Sequence, residues 1–484
     1  MDYGSTTPGN TPKPQMLTRE LVLSVAVACL GSIQFGYHIA ELNAPEQAMS
    51  CKNAHITSRQ YDQTFLGGTL GLPQCLELTE QQFGAVTAVF SIGGLVGSFF
   101  TGKLANQHGR RLASLWVSAV ALCGSLVMFL AGSFSSMLVG RFIAGVSCGA
   151  AIVITPLFIN EVSPVDWKGT LGSMNQLSIN LGILLTQGVA IRYATEYEWR
   201  WIMFVGALLA VVNALGWYFT SESPKWLVLH NHDTRNGERV LMNLRRSTSA
   251  QVKAEIQQWT REHHGGDEES GPDAVATVEP GFWEYVRSPY YRKPRTAITM
   301  LLVGQQCSGI NSIIFYGVKV VSQVLPAYSL LVNLAISLEN VIVTLCASLV
   351  IERYGRKPLL LGSSGAMALM SLLISACIVL GKPLLLVTAM FGYIASFAMG
   401  VGPIPFLIIG ELSPSETSAV AQSYGTVCNW LATFVVGYTF PILNAMMGGY
   451  VYLTFSALTV GLWWYVKQEL PETRGTSNAR EVWL

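Results

Sequence analysis

The chain has 484 residues, of which 51% are hydrophobic and only 12% charged, and its mean hydropathy is +0.40. Soluble domains carry about 25% charged residues, so this composition excludes an ordinary soluble enzyme and indicates an integral membrane protein. The net charge of +1 says nothing about nucleic acid, but no basic patch interleaved with aromatics appears, so no nucleic-acid partner is expected.

Residues 1–18 are polar and rich in Thr, Pro and Gly. They read as a disordered cytosolic tail. No charged start leads into a short apolar core with a small-residue cleavage site, so a signal peptide is not expected and the first helix stays as an anchor. A membrane span needs about 20 apolar residues. Twelve such runs follow, near 20–41, 83–104, 112–132, 137–160, 170–191, 200–220, 297–321, 328–351, 358–380, 384–409, 419–441 and 448–466. The fold class is therefore an all-α membrane protein with twelve spans.

Two stretches interrupt the apolar pattern. The loop at about 44–81 holds Cys51 and Cys75, whereas the other seven of the nine cysteines lie in apolar runs, where a thiol behaves as a small hydrophobe. Cys51 and Cys75 can pair if the loop faces an oxidising compartment, and spacing alone leaves the pairing open. The cysteines form no metal pattern, and no metal or cofactor is expected. The second interruption, 222–295, carries Arg235, Glu238, Arg239, Arg245 and Arg246, then Gly-Asp-Glu-Glu-Ser-Gly at 266–271. It divides the runs six and six and is expected to hold short amphipathic helices, one around 250–263. The expected organisation is a tail (1–18), a first bundle (19–221), a cytosolic linker (222–295), a second bundle (296–466) and a cytosolic tail (467–484). Orientation follows the basic residues at helix ends. Lys103, Arg110 and Arg111, then Arg353, Arg356 and Lys357, sit on the same side as the basic linker. The other side has only Lys52, Arg59, Arg192, Lys319 and Lys382. Both termini are thus expected in the cytosol, with the 44–81 loop across the membrane.

An internal repeat is visible. Asn160-Glu161-Val162-Ser163-Pro164 returns as Gly410-Glu411-Leu412-Ser413-Pro414. His108-Gly109-Arg110-Arg111 returns as Tyr354-Gly355-Arg356-Lys357, and Ser221-Glu222-Ser223-Pro224 returns loosely as Pro471-Glu472-Thr473-Arg474. Three motifs in the same order mark two homologous six-helix halves, the plan of a transporter with its site between them.

Within the seventh run stands Gly304-Gln305-Gln306-Cys307-Ser308-Gly309-Ile310-Asn311. Amides in hydrocarbon need partners or a wet cavity. Ser-Gly in mid-helix weakens the backbone, and broken helices near the midplane are where transporters bind substrate. The alternative, amides that only hold helices together, accounts less well for so many hydrogen-bonding groups at one break.

These motifs carry a resemblance. Gly102–Arg111, Gly140-Arg141-Phe142, Pro156–Pro164 with Lys168-Gly169, Glu222–Lys225, Gln305–Asn311, Glu352–Lys357, Gly402-Pro403-Ile404-Pro405 and Pro471–Gly475 resemble the sugar porters of the major facilitator superfamily over nearly the whole helical length. Residues 35–45 look most like a fungal subgroup of metabolite transporters assigned to the vacuolar membrane, with the plasma membrane as the alternative. The resemblance implies a two-bundle carrier, working as a monomer among membrane lipids, for a hexose, polyol or similar hydroxylated metabolite, by uniport or linked to protons. It places Gln176, Gln305, Gln306, Asn311, Asn340 and Asn429 in the central cavity, with Phe315, Phe397, Phe406 and Trp430 shaping or gating it. Core packing is the alternative for each aromatic. Three departures bear on substrate identity: Phe406 stands where many relatives have Trp, Thr433 where they often have Asn, and Ala398 where they often have Glu.

The resemblance also sets His38 where proton-coupled relatives have Asp, near Arg141. Glu41 lies three residues on, on a neighbouring part of the same face. Ionisable groups in a span are functional candidates, and an imidazole titrates at about pH 6.5. Two readings stay open: a proton relay through His38, Glu41 and Arg141, or a His bonded across helices with Glu41 at a wet helix end. A neighbouring Arg disfavours the charged imidazole, which weighs for the second. The resemblance finally suggests a cytosolic gate of Arg110, Arg111, Glu161, Lys168, Glu222, Glu352, Arg356, Lys357, Glu411 and Glu472, weakened where Ser418 replaces a basic residue. A nutrient sensor on the same fold would be expected to carry a longer tail than 467–484. No nucleophile–base pair or metal cluster points to an enzyme.

Overall fold

Helix starts are written locally into the chain. Thr18 accepts the Leu21 N–H at 3.1 Å. Thr79 and Gln82 form a capping box, and Ser133 and Ser136 form another. In the computed structural model, which describes residues 17–52, 61–164, 167–245, 249–268, 282–413 and 417–473, these caps open long helices. The tails expected at the two ends lie largely outside the described residues, as does the linker from 269 to 281.

The first half comprises α1 (Arg19–Ala40), α2 (Glu80–His108), α3 (Arg110–Phe129), α4 (Phe134–Val162), α5 (Lys168–Tyr193) and α6 (Arg200–Phe219). The second comprises α7 (Arg292–Cys307), α8 (Ile310–Ser322), α9 (Ser329–Tyr354), α10 (Arg356–Val379), α11 (Pro383–Met399), α12 (Ser418–Met447) and α13 (Val451–Gln468). Helices α7 and α8 are one span broken at Ser308-Gly309. Among the described residues, ten runs are long and apolar enough to cross a membrane. One of them, Val420–Gln468, is two helices joined by a turn, and α5 has span length but a polar face with Asn175, Asn180 and Gln187. The twelve-span layout follows.

Helix α2 packs on α4, α1 on α5, and α3 on α4 and α6; in the second half α10 packs on α11 and α13, and α7 on α12. The halves meet along α2 against α12, α5 against α9, and α1 against α8. Large apolar side chains such as Phe99, Leu215, Phe219 and Leu384 face outward, as lipid requires. Short helices Pro224–Leu229, Thr234–Arg245, Ser249–Glu268 and Phe282–Arg287 form the linker. Arg245 ties it to the first half by donating to the Ser163 carbonyl at 3.2 Å.

The tenth span differs from its sequence reading. The run 384–409 predicts one helix, but α11 stops at Met399, and two single turns, Ile404–Leu407 and Ile409–Leu412, follow. Gly400, Gly402, Pro403 and Pro405 explain the break, because proline removes an N–H and crowds the preceding turn. In the loop after α1, Cys51 and Cys75 form a disulfide, and the Leu76 N–H donates to the Met49 carbonyl at 2.8 Å.

Candidate functional site

The break between α7 and α8 frees carbonyls that lipid cannot satisfy. Gly309 adopts φ 96°, a left-handed conformation that glycine favours. Side chains then take up the freed groups. Ser308 donates to the Gln305 carbonyl at 2.6 Å, Ser312 to the Gly309 carbonyl at 2.6 Å, and the Tyr393 hydroxyl to the Ser308 carbonyl at 2.9 Å.

The amides around this break form one connected chain. Gln305 Nε2 donates to the carbonyls of Val401 and Gly402, at 2.6 and 2.8 Å, in the turn that ends α11. Asn429 Nδ2 donates to Gln305 Oε1 at 3.0 Å, as does Gln306 Nε2 at 3.3 Å. Asn311 Nδ2 donates to Gln306 Oε1 at 2.6 Å. Gln305 and Asn311 are 4% and 3% exposed, so neither amide faces lipid. One broken helix thus satisfies the backbone of another.

Other expected site residues stand apart from this chain. Asn340 pairs with Asn180 across the halves at 3.4 Å, and Asn180 also donates to Thr344 at 2.7 Å. Trp430 donates to Ser98 Oγ at 3.1 Å and packs with Phe35 and Phe90 of the first half. Phe397 lies beside Gly402. Phe315 lies against Gly437 of α12. Phe406 packs instead at the linker end, with Tyr285, Ile298, Leu302, Ile409 and Ala421. Gln176 is partly buried on α5 and joins none of these bonds.

His38, Glu41 and Arg141 form a single buried cluster, each 0% exposed. His38 Nδ1 lies 3.0 Å from Glu41 Oε2, and Arg141 Nη1 donates to Glu41 Oε1 at 2.7 Å and to the His38 carbonyl. Arg141 also stands over the Phe90 ring, 4.4 Å from its centroid. Its Nε and Nη2 have no acceptor among the described residues. The expectation of a wet helix end for Glu41 fails, because Glu41 caps α1 inside the bundle rather than at its surface.

The charged clusters repeat almost atom for atom in the two halves. Arg110 donates from Nη2 to Glu161 at 2.7 Å, and Arg356 from Nη2 to Glu411 at 3.0 Å. Glu222 accepts the N–H groups of Arg110, Arg111 and Ser223. Glu472 accepts those of Arg356, Lys357 and Thr473. Gly109 and Gly355, with φ 88° and 90°, make the turns. A Cβ on Gly109 would lie 2.3 Å from Glu222 Oε2. Each cluster stays inside its own half, so the bonds described here brace a half rather than join two. Burial pushes the Glu222 carboxyl above the usual glutamate range, against the pull of the backbone N–H donors. The side chains of Lys168 and Glu352 lie outside those described.

Sequence reasoning passed over two features. Glu339, next to Asn340, has a buried Oε2 without a partner among the described residues; a lone acid inside the α9 apolar run was its signal. Lys319 of α8 pairs with Glu46 at 2.8 Å and Glu80 at 2.5 Å, both in the first half. It had been counted only as a charge on the sparse side.

Comparison with known proteins agrees with this architecture. Residues 24–480 match the family model described as sugar (and other) transporter. The chain is 53% identical over 478 residues to a probable metabolite transport protein of Saccharomyces cerevisiae, covering 98% of this chain and 97% of that one. It is 41% identical over 462 residues to vacuolar protein sorting-associated protein 73 of the same yeast, covering 95% of each. Its fold superposes with a TM-score of 0.75 on the inward-open xylose transporter XylE of E. coli, at 23% identity, over 95% of this chain and 99% of that one. The chain belongs to the sugar (and other) transporter family, the sugar porters of the major facilitator superfamily, and is a multi-pass membrane transporter.

Proposed function

We propose that the chain carries a sugar, polyol or similar hydroxylated metabolite by alternating access, binding it at the amide chain Asn429–Gln305–Gln306–Asn311. That chain is the observation on which the reading rests. A hydroxyl both donates and accepts, as does an amide, so neutral amides suit a polyhydroxylated solute without the desolvation of a charge. Gln176, Asn340, Phe397 and Trp430 complete the proposed surroundings; the last two supply rings for an apolar sugar face. Both termini and the linker face the cytosol in this reading, and the Cys51–Cys75 loop faces the other compartment. The family resemblance and the yeast sorting-protein relative favour the vacuolar membrane. One chain holds both halves and the whole amide chain, which supports a functional monomer.

His38, Glu41 and Arg141 are the proposed proton-coupling group, since the buried Glu41 carboxylate and the His38 imidazole in contact with it can exchange a proton as the halves move, while the Arg141 guanidinium stays charged and holds the carboxylate. The cytosolic gate is proposed to use Arg110, Arg111, Glu161, Lys168 and Glu222 with Glu352, Arg356, Lys357, Glu411 and Glu472.

Purified protein in liposomes tests the reading. Hexoses and polyols are screened by uptake with and without a pH gradient. At least one should be taken up saturably, with Asn311→Leu raising the half-saturating concentration. Saturable uptake unaltered in Asn311→Leu would overturn the amide site. His38→Asn should abolish the response to the gradient, and an unchanged response rejects the relay.

A further inference from the structure

The cross-half contacts concentrate at the disulfide end and midway along the bundle. Phe83 of α2 meets Tyr316 of α8 with ring centroids 6.0 Å apart. Asn43 Oδ1 accepts the Val318 N–H at 3.0 Å. The disulfide end is therefore shut in this structure, and something must hold it.

Four charges lie at that closure. Lys319 is the member from the second half, and Glu46, Lys52 and Glu80 come from the first. Glu46 Oε1 accepts from Lys319 and from Lys52, at 2.8 and 3.2 Å. Glu80 uses one oxygen for each lysine. Glu46 is only 2% exposed, so its carboxylate has left water and depends on these cations. Lys52 belongs to the same half as both acids and cannot bridge the closure. Among the described residues, only Lys319 ties them to α8.

The partners are held in place independently. Glu46 opens the short helix Glu46–Met49, whose Met49 carbonyl accepts the Leu76 N–H, and the Cys51–Cys75 disulfide closes the same strap. The Glu46 carboxylate is thus presented on a pinned segment, and Glu80 opens the rigid helix α2.

We propose that Lys319 is a positioning residue of the transport cycle, the bolt of the gate at the disulfide end, with Glu46 and Glu80 as its catch. Opening this end separates α8 from the strap and α2, and each charge then exchanges its partner for water. The bolt biases the empty carrier towards the closed state. The proposal rests on the alternating-access reading but not on any substrate.

Distance measurement by electron–electron resonance tests it, with spin labels at the exposed positions Glu77 and Tyr328. The labels are carried on genetically encoded residues so that the disulfide stays intact. Wild type should show mainly the short distance. Lys319→Met should raise the long-to-short ratio about fivefold or more, Lys319→Arg should restore the short distance, and Glu46→Gln with Glu80→Gln should resemble Lys319→Met. Combining all three changes should add nothing further. A distribution in Lys319→Met equal to wild type, or effects that simply add, would overturn the bolt. Thermal unfolding checks that each variant is folded. Because no solute is present, failure here leaves the amide site standing, and failed uptake leaves the bolt standing.

Discussion

Gln305 joins three elements through one side chain, bonding the carbonyls that end α11, Asn429 of α12 and its neighbour Gln306. Gln305→Leu strands two carbonyls away from water, at about 1–3 kcal/mol each. The expected result is a clear fall in the unfolding midpoint together with lost uptake. Asn429→Leu removes one donor while Gln306 still serves Gln305 Oε1, so its midpoint should fall less. Thermal unfolding of the two purified variants decides the order. The amides themselves were legible because polar groups stand out in an apolar run. Their acceptors were not, since Val401 and Gly402 contribute backbone atoms that have no sequence signature. Glu41 was misjudged for a related reason. Its place at the end of α1 suggests water, whereas Arg141 from a distant segment turns that end into an interior.

The mirrored turn Gly109-Arg110-Arg111 and its twin Gly355-Arg356-Lys357 show what a repeated motif does at the level of elements. Each turn needs a positive φ, and each is held by a glutamate that follows the last helix of its half. Gly109→Ala should cost about 1–2 kcal/mol from backbone strain alone, with more from the clash with Glu222. Gly102→Ala, in mid-helix with open space, should be neutral or stabilising by about 0.5–1 kcal/mol. Parallel unfolding curves measure the difference. Glu222 adds a pH signature. Its carboxyl is held above the unfolded value, so its share of stability is present below that value and lost as pH rises through the folded one. The wild-type midpoint should therefore fall relative to Glu222→Gln as pH rises from about 4.3. The repeat made both turns readable in advance. The pairing of charges within rather than between halves was not readable, because the repeat gives two copies of each sign.

At the scale of the molecule, two bundles meet along matched pairs of helices, and Trp430 lies across that seam. A Cβ on Gly94 would stand 2.6 Å from the Trp430 ring. Gly94→Val should therefore wedge α2 from α12 and favour opening at the disulfide end, read by the same Glu77–Tyr328 distance. Gly94→Val with Trp430→Ala should relieve the wedge. The two-bundle plan was legible from the motif order alone. Which end is shut was not, since one sequence encodes every state of the cycle, and contacts such as Lys319–Glu46 belong to only one of them. The coupling of the two broken spans carries a last consequence. A visiting hydroxyl that claims the Gln305 amide deprives Val401 and Gly402 of their donor, and must either replace it or let that turn relax. Occupancy and the posture of the short helices beyond Pro403 then become a single variable, felt at residues no guest has to touch.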